Sequence, residues 1–154
     1  MATVHETIEV NAPIETVYNQ WTQFEEFPAF MEGVEQVTQL DDTRLHWVAE
    51  IAGKQHEWDA KITEQKPESV IAWMATDGKE NGGRVNFQDL GTGRTRIEIE
   101  MMYDTEGVVE KVGSALGADD RRVKGDLERF KELIESRGAE TGAWRGEVEA
   151  GQVR

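Results

Sequence analysis

The side chains able to move a proton in this 154-residue chain are few: three histidines, two tyrosines and a scatter of carboxylates. His56 falls in phase with Trp58 and Ala60 in an alternating run, so the three share one face of a strand. That phase sets an imidazole at the rim of an apolar surface, where it serves either as a polar anchor or base, or simply as a solvated strand-end histidine. Tyr103 follows the phase of Ile97, Ile99 and Met101 and points inward at the end of its strand. Its hydroxyl can anchor a polar group of a ligand, or its ring can plug the mouth of an interior space. His46 neighbours Trp47 and faces the opposite side from it.

Other chemistries have no visible carrier. Glu50, Glu57, Asp59, Glu64, Glu98 and Glu100 alternate away from the apolar positions, so no converging acid/base pair is predicted. No His-x-x-x-His or similar spacing is present, so no metal is expected. The absence of cysteine excludes disulfides, thiolate catalysis and Cys-ligated zinc. Gly78, Gly82, Gly83, Gly91 and Gly93 read as turn glycines rather than a phosphate cradle, and no serine sits in a nucleophile elbow. No cofactor is expected.

The aromatic residues carry more information. Trp47, Trp58 and Trp73 are each followed two residues later by an alanine: Ala49, Ala60 and Ala75. Each pair shares a strand face, and large rings beside alanines make an uneven surface that a helix or a ligand must cover. Phe87, Ile99 and Met101 extend this surface, and Val123, Leu127 and Phe130 face it from a helix. Together with Tyr103 these residues form the predicted lining of an apolar cavity, with Tyr103 and His56 as its polar anchors. The competing reading is an ordinary filled core.

The elements that position them follow from periodicity. Residues 3–10 alternate as a strand. Asn11 offers an N-cap and Pro13 fits the first turn of a helix carrying Ile14, Val17, Trp21 and Phe24, which must stop before Pro28. Phe27-Pro28-Ala29-Phe30-Met31 predicts a second short helix that plugs one end of the domain. Strands are predicted at 34–40, 43–51, 55–62, 69–75, 84–88 and 94–102, joined by short Gly- and Asp-rich turns in an antiparallel meander. Val109, Val112 and Leu116 predict a helical turn. The main helix begins at Ala118 or Asp119, carries the stripe Val123, Leu127, Phe130 and Ile134, and ends at Gly138. Residues 1–138 form the predicted domain, and the Gly- and Glu-rich residues 139–154 a flexible tail, loose or draped on the surface.

Charge narrows the partners. With 17 Lys+Arg against 31 Asp+Glu, the net charge of −14 repels nucleic acid and anionic membrane surfaces. No apolar run approaches the ~20 residues of a membrane span, so no stable membrane insertion is expected. No basic-then-apolar leader opens the chain, which predicts a cytoplasmic protein.

The order of elements resembles the helix-grip fold of the START and birch-pollen-allergen superfamily, and the local sequence is similar to its polyketide cyclase/dehydrase branch. The residues carrying the resemblance are Pro13, Val17 and Trp21, the run Phe27 to Met31, Glu57-Trp58 with Ala60, Trp73, the Gly78 to Gly83 connection, Phe87, Thr95 and Gly125 to Lys131. It spans about residues 3–137, and the tail around Trp144 is similar to an ending seen in bacterial members. The resemblance implies an α+β fold: a curved antiparallel sheet of six to seven strands around a long C-terminal helix, with two short helices after the first strand. It also implies a cavity between sheet and helix for a hydrophobic small molecule such as a lipid, quinone or polyketide. Some relatives are aromatases or cyclases acting on poly-β-ketone chains through pocket Arg, Tyr and Ser groups. Arg84, Arg94 and Arg96 alternate outward here, so this chain does not display that set. Three functions remain open at this point: a binder of a hydrophobic small molecule, a polyketide aromatase/cyclase, and an interaction protein with a filled core.

Overall fold

The computed structural model describes residues 2–51, 53–76, 81–103 and 116–154. Strand β1 (Ala2–Val10) leads into helix α1 (Ile14–Trp21) and a 3-10 helix (Phe24–Ala29). Six strands follow: β2 (Val34–Gln39), β3 (Arg44–Ile51), β4 (Lys54–Lys66), β5 (Val70–Ala75), β6 (Gly82–Gly91) and β7 (Arg94–Tyr103). Helix α2 (Leu116–Arg137) comes next, and then the two-residue strands β8 (Val148–Glu149) and β9 (Gln152–Val153). Val109 and Val112 of the predicted helical turn lie outside the described residues, and Leu116 already belongs to α2. No described helix is long and apolar enough to cross a membrane.

The sheet is antiparallel throughout, in the order β1-β7-β6-β5-β4-β3-β2. It curves around the apolar stripe of α2, whose Val123, Leu127, Phe130 and Ile134 are all buried. The polar flank of α2 fixes its position. Asp126 accepts the Glu32 backbone N–H (2.9 Å) and pairs with Arg129, whose Nε donates to the Phe30 carbonyl (2.9 Å). Burial pushes the Asp126 carboxyl above the usual carboxylate range, against the pull of the Glu32 N–H and Arg129. At the far end Glu135 accepts the Asn11 N–H (2.9 Å). Gly138 stops the helix in the left-handed region (φ 75°), its N–H bonded to the Ile134 carbonyl (2.9 Å).

The N-terminal helical region differs in detail from the periodicity. Pro13 stands at the N-cap of α1 with no side-chain cap, so Asn11 does not play that role. The helix stops at Trp21, where the Thr22 hydroxyl donates back to the Asn19 carbonyl (2.6 Å) and competes with further winding. The chain re-enters as a 3-10 helix, in which residues three apart eclipse one another. Phe24 and Phe27 therefore both point inward, with Phe30 just beyond, and all three rings are buried.

Strand β4 is longer than its pattern predicts. A register shift between Ile62 and Glu64 inverts the alternation, so that Gln65 is buried. Past Lys61, which lies opposite the first residue of β3, the edge of β4 pairs instead with β8 through Glu64↔Glu149 and Gln65↔Val148. Residues of the predicted tail lie draped on the body of the fold. Val148 is 2% exposed, and the Trp144 N–H donates to the Thr22 hydroxyl (3.1 Å). Arg145 donates to Asn19 (2.6 Å) and pairs with Glu68. The segment packs on α1 and adds two short strands to the sheet.

Candidate functional site

Antiparallel pairing places Trp47 of β3 directly opposite Trp58 of β4. Cross-strand neighbours on one face stand close enough for large rings to meet. Their planes lie 8° apart with centroids 6.0 Å apart, and Trp73 of β5 stacks on the other side of Trp47 at 5.7 Å and 21°. The three indoles thus form one nearly parallel stack, contributed by three strands. Gly83 makes room for its inner end: a Cβ there would stand 2.5 Å from the Trp73 ring.

The two ends of the stack differ. At the Trp73 end, Phe24 and Phe27 pack on the indoles with centroids 5.8–6.1 Å away. Behind them Phe130 of α2 lies 5.1 Å from both Trp21 and Phe30. This end is filled by rings, as a plug formed by the 27–31 segment would require. At the other end Trp58 is only partly buried, and His56, also half-buried, lies across from the small Ala49.

Three ring nitrogens belong to residues of this face. Trp47 Nε1, Trp58 Nε1 and His56 Nε2 are all buried, and none makes a hydrogen bond among the described residues. Buried polar atoms are nearly always paired, so three orphans on two adjacent strands call for an explanation.

The remaining predicted lining residues are placed as follows. Trp73, Phe87, Ile99, Val123, Leu127 and Phe130 are buried in the core, and Met101 packs against it partly buried. The Tyr103 backbone closes β7, opposite Ala2 of β1, and its side chain lies outside the described residues.

Sequence reasoning missed a second polar cluster. Tyr18, completely buried and edge-on to Phe87 (5.3 Å), has a phenol pushed up to about 12 by burial, against the pull of Gln65 and Arg145. The Gln65 carboxamide nitrogen beside it is buried without a hydrogen bond of good geometry, while the Arg145 guanidinium stands 5.8 Å from the ring centre. The Val148-to-Val153 alternation around Ala150-Gly151 was a readable hairpin signal. The β4 bulge that turns Gln65 inward was not.

On the convex face His46 lies between Asp59 (2.7 Å from Nδ1) and Glu57 (3.0 Å from Nε2), which hold its pKa above the usual histidine value. Arg84 pairs with Glu64 (2.7 Å), and Arg94 and Arg96 pair with Glu9, outward as their phase predicted. His5, Glu98 and Glu100 bring their ligand atoms within 4.8 Å of one another across β1 and β7, all on the outer surface. Strand register alone assembles this trio, which is why no linear spacing announced it.

Comparison with known proteins follows the same lines. The profile of a family described as polyketide cyclase/dehydrase and lipid transport matches residues 10–132. An uncharacterised 17.2 kDa protein of Streptomyces lincolnensis is 50% identical over 149 residues, covering 96% of this chain and 99% of that one. The Zhui aromatase/cyclase of Streptomyces sp. R1128 superposes with a TM-score of 0.73 at 18% identity, covering 93% of this chain and 99% of that one. A START superfamily protein of Mycobacterium smegmatis superposes at 0.68 with 19% identity, covering 86% of this chain and 98% of that one. These two likenesses establish the helix-grip fold.

Proposed function

The chain belongs to the polyketide cyclase/dehydrase and lipid transport family, and on that premise we propose that it binds a hydrophobic small molecule between the concave face of its sheet and α2. The observation that carries this reading is the asymmetry of the indole stack. Its Trp73 end is packed solid by phenylalanines, while its Trp58 end is partly open and bordered by His56 and Ala49. A flat apolar surface left partly uncovered gains about 25 cal/mol per Å² when a ligand covers it. The predicted lining residues divide accordingly. Phe130 packs behind the phenylalanines that close the Trp73 end, Trp58 stands at the open end, and His56 supplies a polar anchor there.

The experiment is a thermal-shift panel of a fatty acid, a quinone and a polycyclic aromatic compound. Ligand at about a hundred times its Kd stabilises by roughly 2.7 kcal/mol, which raises the Tm of a domain this size by about 5–10 °C. A flat response to every compound overturns the reading in favour of a filled core.

A second reading, a polyketide aromatase/cyclase, draws support from His56, whose Nε2 is buried on the Trp58 face with no hydrogen-bond partner among the described residues. A ring nitrogen in that position is suited to take a proton from an acidic methylene between two ketones. Incubation with a reactive poly-β-ketone tests it: an altered product distribution that His56→Ala abolishes supports catalysis. A distribution identical to that without protein removes it.

A further inference from the structure

We propose that His5, Glu98 and Glu100 form a binding site for a divalent transition-metal ion of the zinc type on the convex face of the sheet, clasping β1 to β7. The site lies on the opposite face from the indoles and is independent of the binding reading above, so either can fail alone.

Two observations meet here. The first is convergence. The β1–β7 register sets His5 directly opposite Glu100, with Glu98 two residues along the same face of β7. One ring nitrogen and one oxygen from each carboxylate lie within 4.8 Å of one another. His5 Nε2 stands 3.5 Å from Glu98 Oε1. Two ligands each about 2.0–2.1 Å from a tetrahedral zinc ion are about 3.3 Å apart, so this pair is already spaced for coordination. Glu100 closes the set by rotation of a flexible side chain.

The second is charge. Glu98 and Glu100 are both half-buried. Among the described residues Glu98 meets only His5, and Glu100 has no hydrogen bond or ion pair. The nearby arginines are engaged elsewhere. Arg84, opposite Glu100 on β6, pairs with Glu64 (2.7 Å), and Arg96 reaches Glu9 (3.4 Å) and Gln88 (3.5 Å). Two like charges left side by side repel, and a divalent cation with a neutral imidazole cancels both. His46 supplies the contrast. Its two carboxylates, Asp59 and Glu57, take opposite ring nitrogens and are held apart by the imidazole. At His5 both carboxylates converge on one nitrogen.

The donor set selects the ion. An imidazole with two carboxylates suits zinc and the other late first-row metals, whereas magnesium and calcium take oxygen ligands. Three side chains leave a position for water, which a surface cleft lined by Thr7, Ile8, Glu9, Arg96 and Glu98 admits. The consequence is mechanical. Strand β1 is at the edge of the sheet and pairs with β7 alone, so an ion bridging the two strands binds the folded chain and stabilises it.

The test titrates the full chain, free of any affinity tag, with zinc chloride. Isothermal titration gives stoichiometry and affinity, and NMR follows the ring nitrogens of the three histidines. The expected result is one equivalent bound, with the His5 signals shifted and those of His46 and His56 unmoved. His5→Ala and Glu100→Gln each weaken binding by roughly tenfold or more, as loss of a group that merely supports a ligand already does. His46→Gln changes it by less than about twofold. Circular dichroism verifies that these outer-face variants are folded. Zinc raises the Tm of the native chain and not that of His5→Ala. Absence of saturable binding overturns the site. So does binding that His5→Ala and Glu100→Gln leave unchanged, which marks an adventitious ion only. Calcium binding as tightly as zinc also overturns it, as general attraction to an acidic surface.

Discussion

The Trp73 indole occupies the space in which a side chain at Gly83 would begin. The two residues face each other across β5 and β6, and a Cβ added at Gly83 would stand 2.5 Å from Cζ2 of the ring. Gly83 is not in the left-handed region, so its requirement is for space and not for backbone freedom. Gly83→Ala therefore destabilises by overpacking, by about 1–3 kcal/mol. Chemical denaturation measures this, and the cost should shrink in a Trp73→Leu background, because the two sites couple through contact. Equal costs in both backgrounds would place the strain elsewhere.

The tail is part of the folded unit. Val148→Ala leaves a hole under the β4–β8 pairing and should lower stability by about 2 kcal/mol. Removal of residues 139–154 goes further, since it strips Asn19 of the Arg145 and Glu140 contacts and uncovers Gln65. Scanning calorimetry should show the shortened chain melting well below the full one. Coincident melting curves would make the tail an ornament.

The turn joining β8 to β9 carries a non-glycine residue in the left-handed region: Ala150 at φ 53°, followed by Gly151 at φ 78°. Two consecutive positive φ values in a two-residue hairpin are the signature of a type I′ turn, whose first position favours Asn. Ala150→Asn should raise stability by about 0.5–1 kcal/mol, since an alanine in this region is strained by roughly 1–2 kcal/mol. An unchanged or lower Tm would show that the turn tolerates alanine at no cost.

His46 makes stability depend on pH. The Asp59 and then the Glu57 hydrogen bonds raise its folded pKa above the ordinary histidine value of 6.5. The folded state therefore holds the proton more tightly than the unfolded one. The stabilisation is complete below about pH 6.5 and is lost as pH rises through the folded pKa. A third of the side chain is exposed, so solvent screens the effect. The expected result is a small loss of Tm from pH 6 to pH 8.5 in the native chain that is absent in His46→Gln. Parallel profiles for the two proteins would assign the pH dependence to other groups.

Much of this molecule is legible in local pattern because its strands alternate cleanly. Trp47, Trp58 and Trp73 share the inner face since period-two alternation leaves no other choice. The α2 stripe and its stop at Gly138 follow from the 3.6-residue period and from glycine's ease in the left-handed region. Where a single residue breaks the period, the reading fails. The register shift after Ile62 sends Gln65 inward, and Thr22 ends α1 early so that Phe24 enters a 3-10 turn. A bulge or a capping bond is worth only about 1 kcal/mol of local preference, and packing decides between the alternatives.

The chain by itself determined which residues are apolar-facing, in what order the elements come, and that phosphate chemistry and thiol chemistry have no carrier. It could not determine which of those residues meet. Pairing of Trp47 with Trp58, the seating of Trp73 on Gly83, the orphaned nitrogens beside His56 and the docking of Val148 on β4 are all decided by strand register and curvature. Those are set by the summed burial of the whole sheet against α2, a long-range quantity that no window of sequence contains.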